Sequence, residues 1–80
     1  MKFAGKMKLE NAPLSVNLAI EEVSDSVLYI KLMELGFSNN SIFQLVRRAP
    51  FNGPFTIKNH KSQIILRKED TTFITVSELA

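Results

Sequence analysis

The sequence predicts a mainly β domain, a small barrel of about five strands with one helix between the first two. Three observations point there. Apolar residues recur with period two through residues 41–48, 55–57, 64–66 and 72–76, the spacing of strands that bury one face. The links between these runs are short and carry Pro, Gly or Asn, which favours a meander over long crossovers. Leu28, Leu32 and Leu35 stand at i, i+4 and i+7, the stripe of one amphipathic helix. A small sheet sheds its exposed edges by curling, hence the barrel.

Each element follows in chain order. Residues 1–13 show no clean period, and Gly5 separates Phe3 from Met7. They read as an irregular or partly ordered N-terminal arm that settles on the domain near Leu9, with residues 14–80 forming that single domain. Residues 14–23 read as the first strand, with Leu18 and Ile20 on one face. Val23 has the opposite parity, which calls for a bulge near Glu21 and Glu22. Ser24, Asp25 and Ser26 supply side-chain acceptors for a helix N-terminus. Gly36 supplies the left-handed residue that ends the helix, and Phe37 returns to the core. Residues 38–41 form a turn that tolerates positive φ at Asn40. Phe43 and Leu45 then point inward, and Ile42, Gln44 and Val46 outward. Two prolines and an Asn-Gly turn pin residues 49–54. Phe55 and Ile57, Ile64 and Leu66, and Ile74 and Val76 face inward on the remaining strands. Residues 59–62 turn the chain, and residues 68–70 form a single helical turn. The expected core is therefore Leu18, Ile20, Leu28, Leu32, Leu35, Phe37, Phe43, Leu45, Phe55, Ile57, Ile64, Leu66, Ile74 and Val76.

Composition narrows the function classes. Eighty residues, 45% apolar and 22% charged, describe one folded domain with no room for a deep catalytic cleft. No apolar run approaches the ~18 residues of a membrane helix. Lys2, Lys6 and Lys8 interrupt any secretory leader. There is no cysteine and one histidine, His60, so thiolate chemistry and a transition-metal site of several N or S ligands are not expected. The three glycines are scattered, unlike a phosphate loop, and no nucleophile elbow is present. No catalytic residue, metal ligand or cofactor is expected.

Charge and apolar surface point to binding. Arg47, Arg48, Lys58, Lys61, Arg67 and Lys68 lie between Ser41 and Lys68 with no acid among them. Such a patch suits an acidic partner, phosphate or a membrane surface. Binding of nucleic acid by a small basic barrel is the alternative reading, because Phe43, Phe51 and Phe55 lie among these cations. Parity, however, turns Phe43 and Phe55 inward. Off the leucine stripe, Tyr29, Ile30 and Met33 fall on the helix flank. They serve either to pack the arm or to seat a partner or a second copy of the chain. Phe51 heads a loop held by Pro50 and Pro54. The candidate partner-binding residues are thus Tyr29, Ile30, Met33, Arg47, Arg48, Phe51 and Lys58, with weak self-association through the helix flank as a further expectation.

Three segments carry a family resemblance: Leu35-Gly36-Phe37; then Arg47-Arg48-Ala49-Pro50-Phe51-Asn52-Gly53-Pro54-Phe55-Thr56-Ile57; then Ile64-Ile65-Leu66-Arg67-Lys68-Glu69-Asp70. Together they resemble the FeoA family, whose members read L-x-x-L-G, R-x-A-P-L-G-D-P, and a strand ending L-R before an acidic turn. The match runs without a gap from Leu28 to Val76. Asn39-Asn40 stands where the family has Pro-Gly, Ser15 where an early Gly is common, and Lys61 where a hairpin Gly is common. The resemblance implies an SH3-like β-barrel with a helical insertion between its first two strands. It implies a cytoplasmic accessory protein of ferrous iron uptake. The implied partner is the permease FeoB, at its cytosolic G-protein domain or its membrane-facing surface, which would place the protein peripherally at the inner face of the cell membrane. Iron would then be handled indirectly, with no Fe²⁺ held by this chain.

Overall fold

A computed structural model describes residues 3–39 and 41–79. Strand β1 (Phe3–Lys8) leads into a 3-10 turn at Leu9–Asn11. Strand β2 (Leu18–Val23) precedes helix α1 (Ser26–Glu34). Strands β3 (Ile42–Arg48), β4 (Phe55–Lys58) and β5 (Gln63–Leu66) follow as a meander. A one-turn helix α2 (Lys68–Thr71) leads into β6 (Ile74–Leu79). The strands form one antiparallel sheet in the order β1-β6-β2-β3-β4-β5.

This architecture is mainly β, as expected, and corrects the barrel in three ways. Among the described residues there are six strands, not about five, because the N-terminal arm contains β1, paired along β6. Its alternation is hidden by a register shift between Phe3 and Lys6, since a bulge breaks the period of two. In consequence α1 lies between the second and third strands, not the first two. The sheet does not close by hydrogen bonds, because β1 and β5 occupy its two ends. It wraps its core all the same: inward residues from β2 through β6 meet α1 in one cluster.

Local chemistry explains the boundaries. The Leu28 amide donates to the Asp25 carboxylate at 2.9 Å, capping α1. At the other end Gly36 takes φ 93°, the Phe37 amide donates to Leu32 O, and the Gly36 amide donates to Met33 O. This paired closure is a Schellman motif. It reverses the chain at Leu35 and delivers Phe37 into the core in its place. Leu35, expected inside, is therefore 38% exposed. The strand expected from residue 14 begins at Leu18, because Ser15 has φ 62° and its amide donates to Leu45 O. Residues 14–17 thus lie along β3 before β2 starts. The bulge expected near Glu21 and Glu22 is present as a register shift between Ile20 and Glu22. Asn40, for which a positive φ was expected, lies outside the described residues.

The core contains twelve of the expected side chains, with Ile64 half-buried at its edge. Leu9, Ala12 and Ala19 are buried as well. Leu9 seals the core from the 3-10 turn, which is where the N-terminal segment was expected to settle. Phe37 meets Phe43 edge to face at 6.2 Å between ring centroids, a favoured aromatic geometry. Polar groups inside are partnered: Ser77 Oγ donates to Glu21 at 2.6 Å, and Thr71 Oγ1 to Lys68 O at 2.6 Å. Phe43→Ala would remove a fully buried ring at the junction of β2 and β3. We expect a loss of about 3–5 kcal/mol, read from urea unfolding, against less than about 0.5 kcal/mol for Asn11→Ala on the exposed surface.

Candidate docking surfaces

The β3–β4 hairpin presents the most exposed large hydrophobic side chain among the described residues, Phe51. Pro50 to Gly53 form a tight turn closed by the Gly53 amide on Pro50 O, with Ala49 N–H donating to Pro54 O below it. The turn centre is Phe51-Asn52, at φ 58° and 60°, not the expected Asn-Gly pair. Gly53 is required for space instead: a Cβ there would lie 2.8 Å from Ala49 Cβ and 2.9 Å from Pro50 O. This backbone holds Phe51 98% exposed. Its ring makes no contribution to the core.

The expected cations divide by role. Arg47 is exposed beside Thr56 across the hairpin. Arg48 is engaged within the chain, donating to Ala12 O and lying 5.6 Å from the centroid of the Phe55 ring. It ties the segment before β2 to the end of β3. Lys58 is exposed at the opposite end of the hairpin from Phe51, paired with Gln44. There it lines a cleft of about 340 Å³ with Asn17, Ile42, Phe43, Gln44, Asn59 and His60. Asn59 shapes this end. Its Oδ1 accepts from the Lys61 and Ser62 amides, and its Nδ2 donates to Gly36 O.

On α1, Ile30 is 52% exposed, Met33 is similarly open and Tyr29 is half-buried. Of the N-terminal segment, Lys6, Met7 and Lys8 pair along β6, and Ile30 and Met33 remain open. The Asn59–Gly36 bond puts the C-terminal end of α1 near Lys58. Phe51, Arg47 and Arg48 lie at the other end of the hairpin. Sequence reasoning missed Val27, Leu35, Ile65 and the cleft residues Asn17, Gln44 and His60. Ile65 was legible from its parity opposite Ile64 and Leu66. The cleft carried no local signal, because its walls come from segments far apart in the chain.

Phe43 and Phe55 are buried, so neither offers a base-stacking platform. Among the described residues no three His, Asp or Glu side chains are grouped to share a metal ion, and no helix is long and apolar enough to cross a membrane.

The FeoA domain family matches residues 7–78. The chain belongs to the FeoA family. Family membership implies a role in ferrous iron transport, for which FeoA is a small accessory domain and not a known enzyme. The fold is shared with the FeoA protein of Chlorobium tepidum, at 24% identity and TM-score 0.83 over 92% of this chain and 71% of that one. The iron(II) transport protein A of Clostridium thermocellum is 30% identical with TM-score 0.80, over 91% of this chain and 46% of that one. This chain spans less than half of the Clostridium protein. A manganese-dependent transcriptional repressor has the same fold at 17% identity and TM-score 0.80, over 92% of this chain and 42% of its own. No curated protein matches. Ser15 takes φ 62°, a conformation Gly adopts without strain.

The two neighbouring arginines separate structure from surface. Arg48→Ala removes a charged donor from Ala12 O and a cation from the Phe55 face, and is expected to cost about 1–3 kcal/mol in urea unfolding. Arg47→Ala should leave stability within about 0.5 kcal/mol.

Proposed function

We propose that this FeoA-family protein is a non-catalytic interaction module that docks on the ferrous iron permease FeoB, at its cytosolic G-protein domain, and regulates or assembles it. The protein then works in the cytoplasm, held peripherally at the inner face of the membrane through FeoB. The observation that carries this reading is Phe51, a large aromatic ring 98% exposed on a turn fixed by two hydrogen bonds. A rigid aromatic loses little entropy on docking, which makes it an efficient anchor. Tyr29, Ile30 and Met33 form the second anchor, on the helix flank. Arg47 and Lys58 steer an acidic surface toward the two ends of the hairpin, with an association rate that falls with salt. Arg48 acts from beneath, holding the base of the hairpin. Weak self-association through the helix flank is the competing use of the same apolar residues.

Phe51→Glu and Ile30→Glu test the two anchors against purified FeoB and its isolated G-protein domain by calorimetry. Phe51→Glu should weaken binding at least tenfold, a cost typical of anchor residues, with Tm unchanged. Ile30→Glu should also weaken binding while the protein stays folded. Wild-type affinity in both folded variants would remove both anchors and the reading with them.

A further inference from the structure

Strand β5 ends the sheet, and its outer edge is open. The Asn59 amide donates to Ser62 O across the β4–β5 turn. In an antiparallel ladder hydrogen-bonded and non-hydrogen-bonded pairs alternate. Counting from Asn59 and Ser62, the pairs Ile57–Ile64 and Phe55–Leu66 face each other with their backbone groups. Gln63 and Ile65 therefore turn their N–H and C=O groups away from β4. Among the described residues no ladder or loop hydrogen bond uses those groups. The Ile65 side chain is 67% exposed, with Thr56 and then Arg47 in line beside it across the sheet.

The surroundings specify what this edge would accept. Lys61 and Arg67, both exposed, stand at the two ends of β5. Beyond the Arg67 end lies a cleft of about 160 Å³, lined by Asp25, Val27, Leu28 and Lys31 of the helical segment and by Arg67 and Asp70. Its acids are already engaged. Asp25 caps α1, and Asp70 accepts from Arg67 at 3.3 Å. Val27 adds an open apolar wall, 75% exposed. In the antiparallel register centred on Ile64, a second copy would set Lys61 against Arg67 of the other copy at both ends, and like charges directly opposite are destabilising.

We infer that the β5 edge is a strand-addition site for an extended acidic segment of another protein, one that places acidic residues near Lys61 and Arg67 and alternate apolar residues beside Ile65. The main chain supplies affinity and the side chains specificity, as in other edge-strand recognition. This surface does not include Phe51, Tyr29, Ile30 or Met33, and its test does not involve FeoB.

The probe is an acetylated, amidated heptapeptide, Glu-Thr-Val-Thr-Val-Thr-Glu, whose glutamates and valines share one face of the strand, titrated into the full chain and followed by amide exchange. The Gln63 and Ile65 amides should gain at least tenfold protection, and binding should weaken as salt rises. Of two forms of the peptide N-methylated on alternate residues, one should lose binding at least tenfold and the other keep it. Ile65→Pro removes an N–H that β4 does not use and should abolish binding. Where that variant does not fold, the methylated pair decides. Equal binding of both methylated forms, equal binding of a lysine-for-glutamate peptide, or no protection at Gln63 and Ile65 would overturn the inference. So would protection of these amides by raised protein concentration alone, which assigns the edge to a second copy.

Discussion

Two three-stranded units, β1-β6-β2 and β3-β4-β5, are joined among the described residues by two ladder pairs, Leu18 with Phe43 and Ala19 with Ile42, and by the Ser15 amide on Leu45 O. So short a ladder cannot set the angle between the units. Side chains do: Leu18 and Phe43 are buried at the seam, and Phe37 arrives edge-on against Phe43. That contact exists only because the Schellman closure at Gly36 turns the chain back. Helix capping, seam packing and the curl of the whole sheet are thus one linked constraint. With no disulfide available, a domain of this size depends on such continuity of packing.

The same arrangement sorts the surface. The acid-free run between Ser41 and Lys68 coincides with β3, β4 and β5. A meander keeps sequence neighbours together in space, so a bias along the chain becomes a cationic unit on one side of the molecule. The hairpin of β3 and β4 lifts Phe51 clear of the core, and Arg48 anchors the base of that hairpin to Ala12. Open backbone groups on β5 complete a unit that turns Phe51, Ile65 and its cations outward while Phe43, Leu45, Phe55, Ile57 and Leu66 fill the core. Its companion unit is occupied internally, with both sides of β6 paired.

Much of this was legible in the sequence. Strand parity identified Phe43, Leu45, Phe55, Ile57, Leu66, Ile74 and Val76 as buried, because a residue's face on a strand is a local property. The capping cluster at Asp25 and the stop at Gly36 were legible for the same reason. Of the candidate site residues, Phe51, Ile30, Met33, Arg47 and Lys58 are at least half open or exposed on the surface. Arg48 was not distinguishable from Arg47, since its partners, Ala12 and Phe55, are remote or defined by hairpin register. Leu35 was misplaced because the leucine stripe continues past the point where the cap ends the helix.

The sequence by itself determined the faces of the strands, the helix and its caps, the tight turns and the basic bias of the second half. Each depends on dihedral preference or periodicity within a few residues. The tertiary structure alone decided that residues 3–8 add a strand to β6, that the sheet ends at β1 and β5 instead of closing, and which cations stay free. Those outcomes depend on which strand edges meet. A backbone N–H or C=O is the same group in every residue, so strand partners are selected by the packing of the assembled core and not by any local pattern.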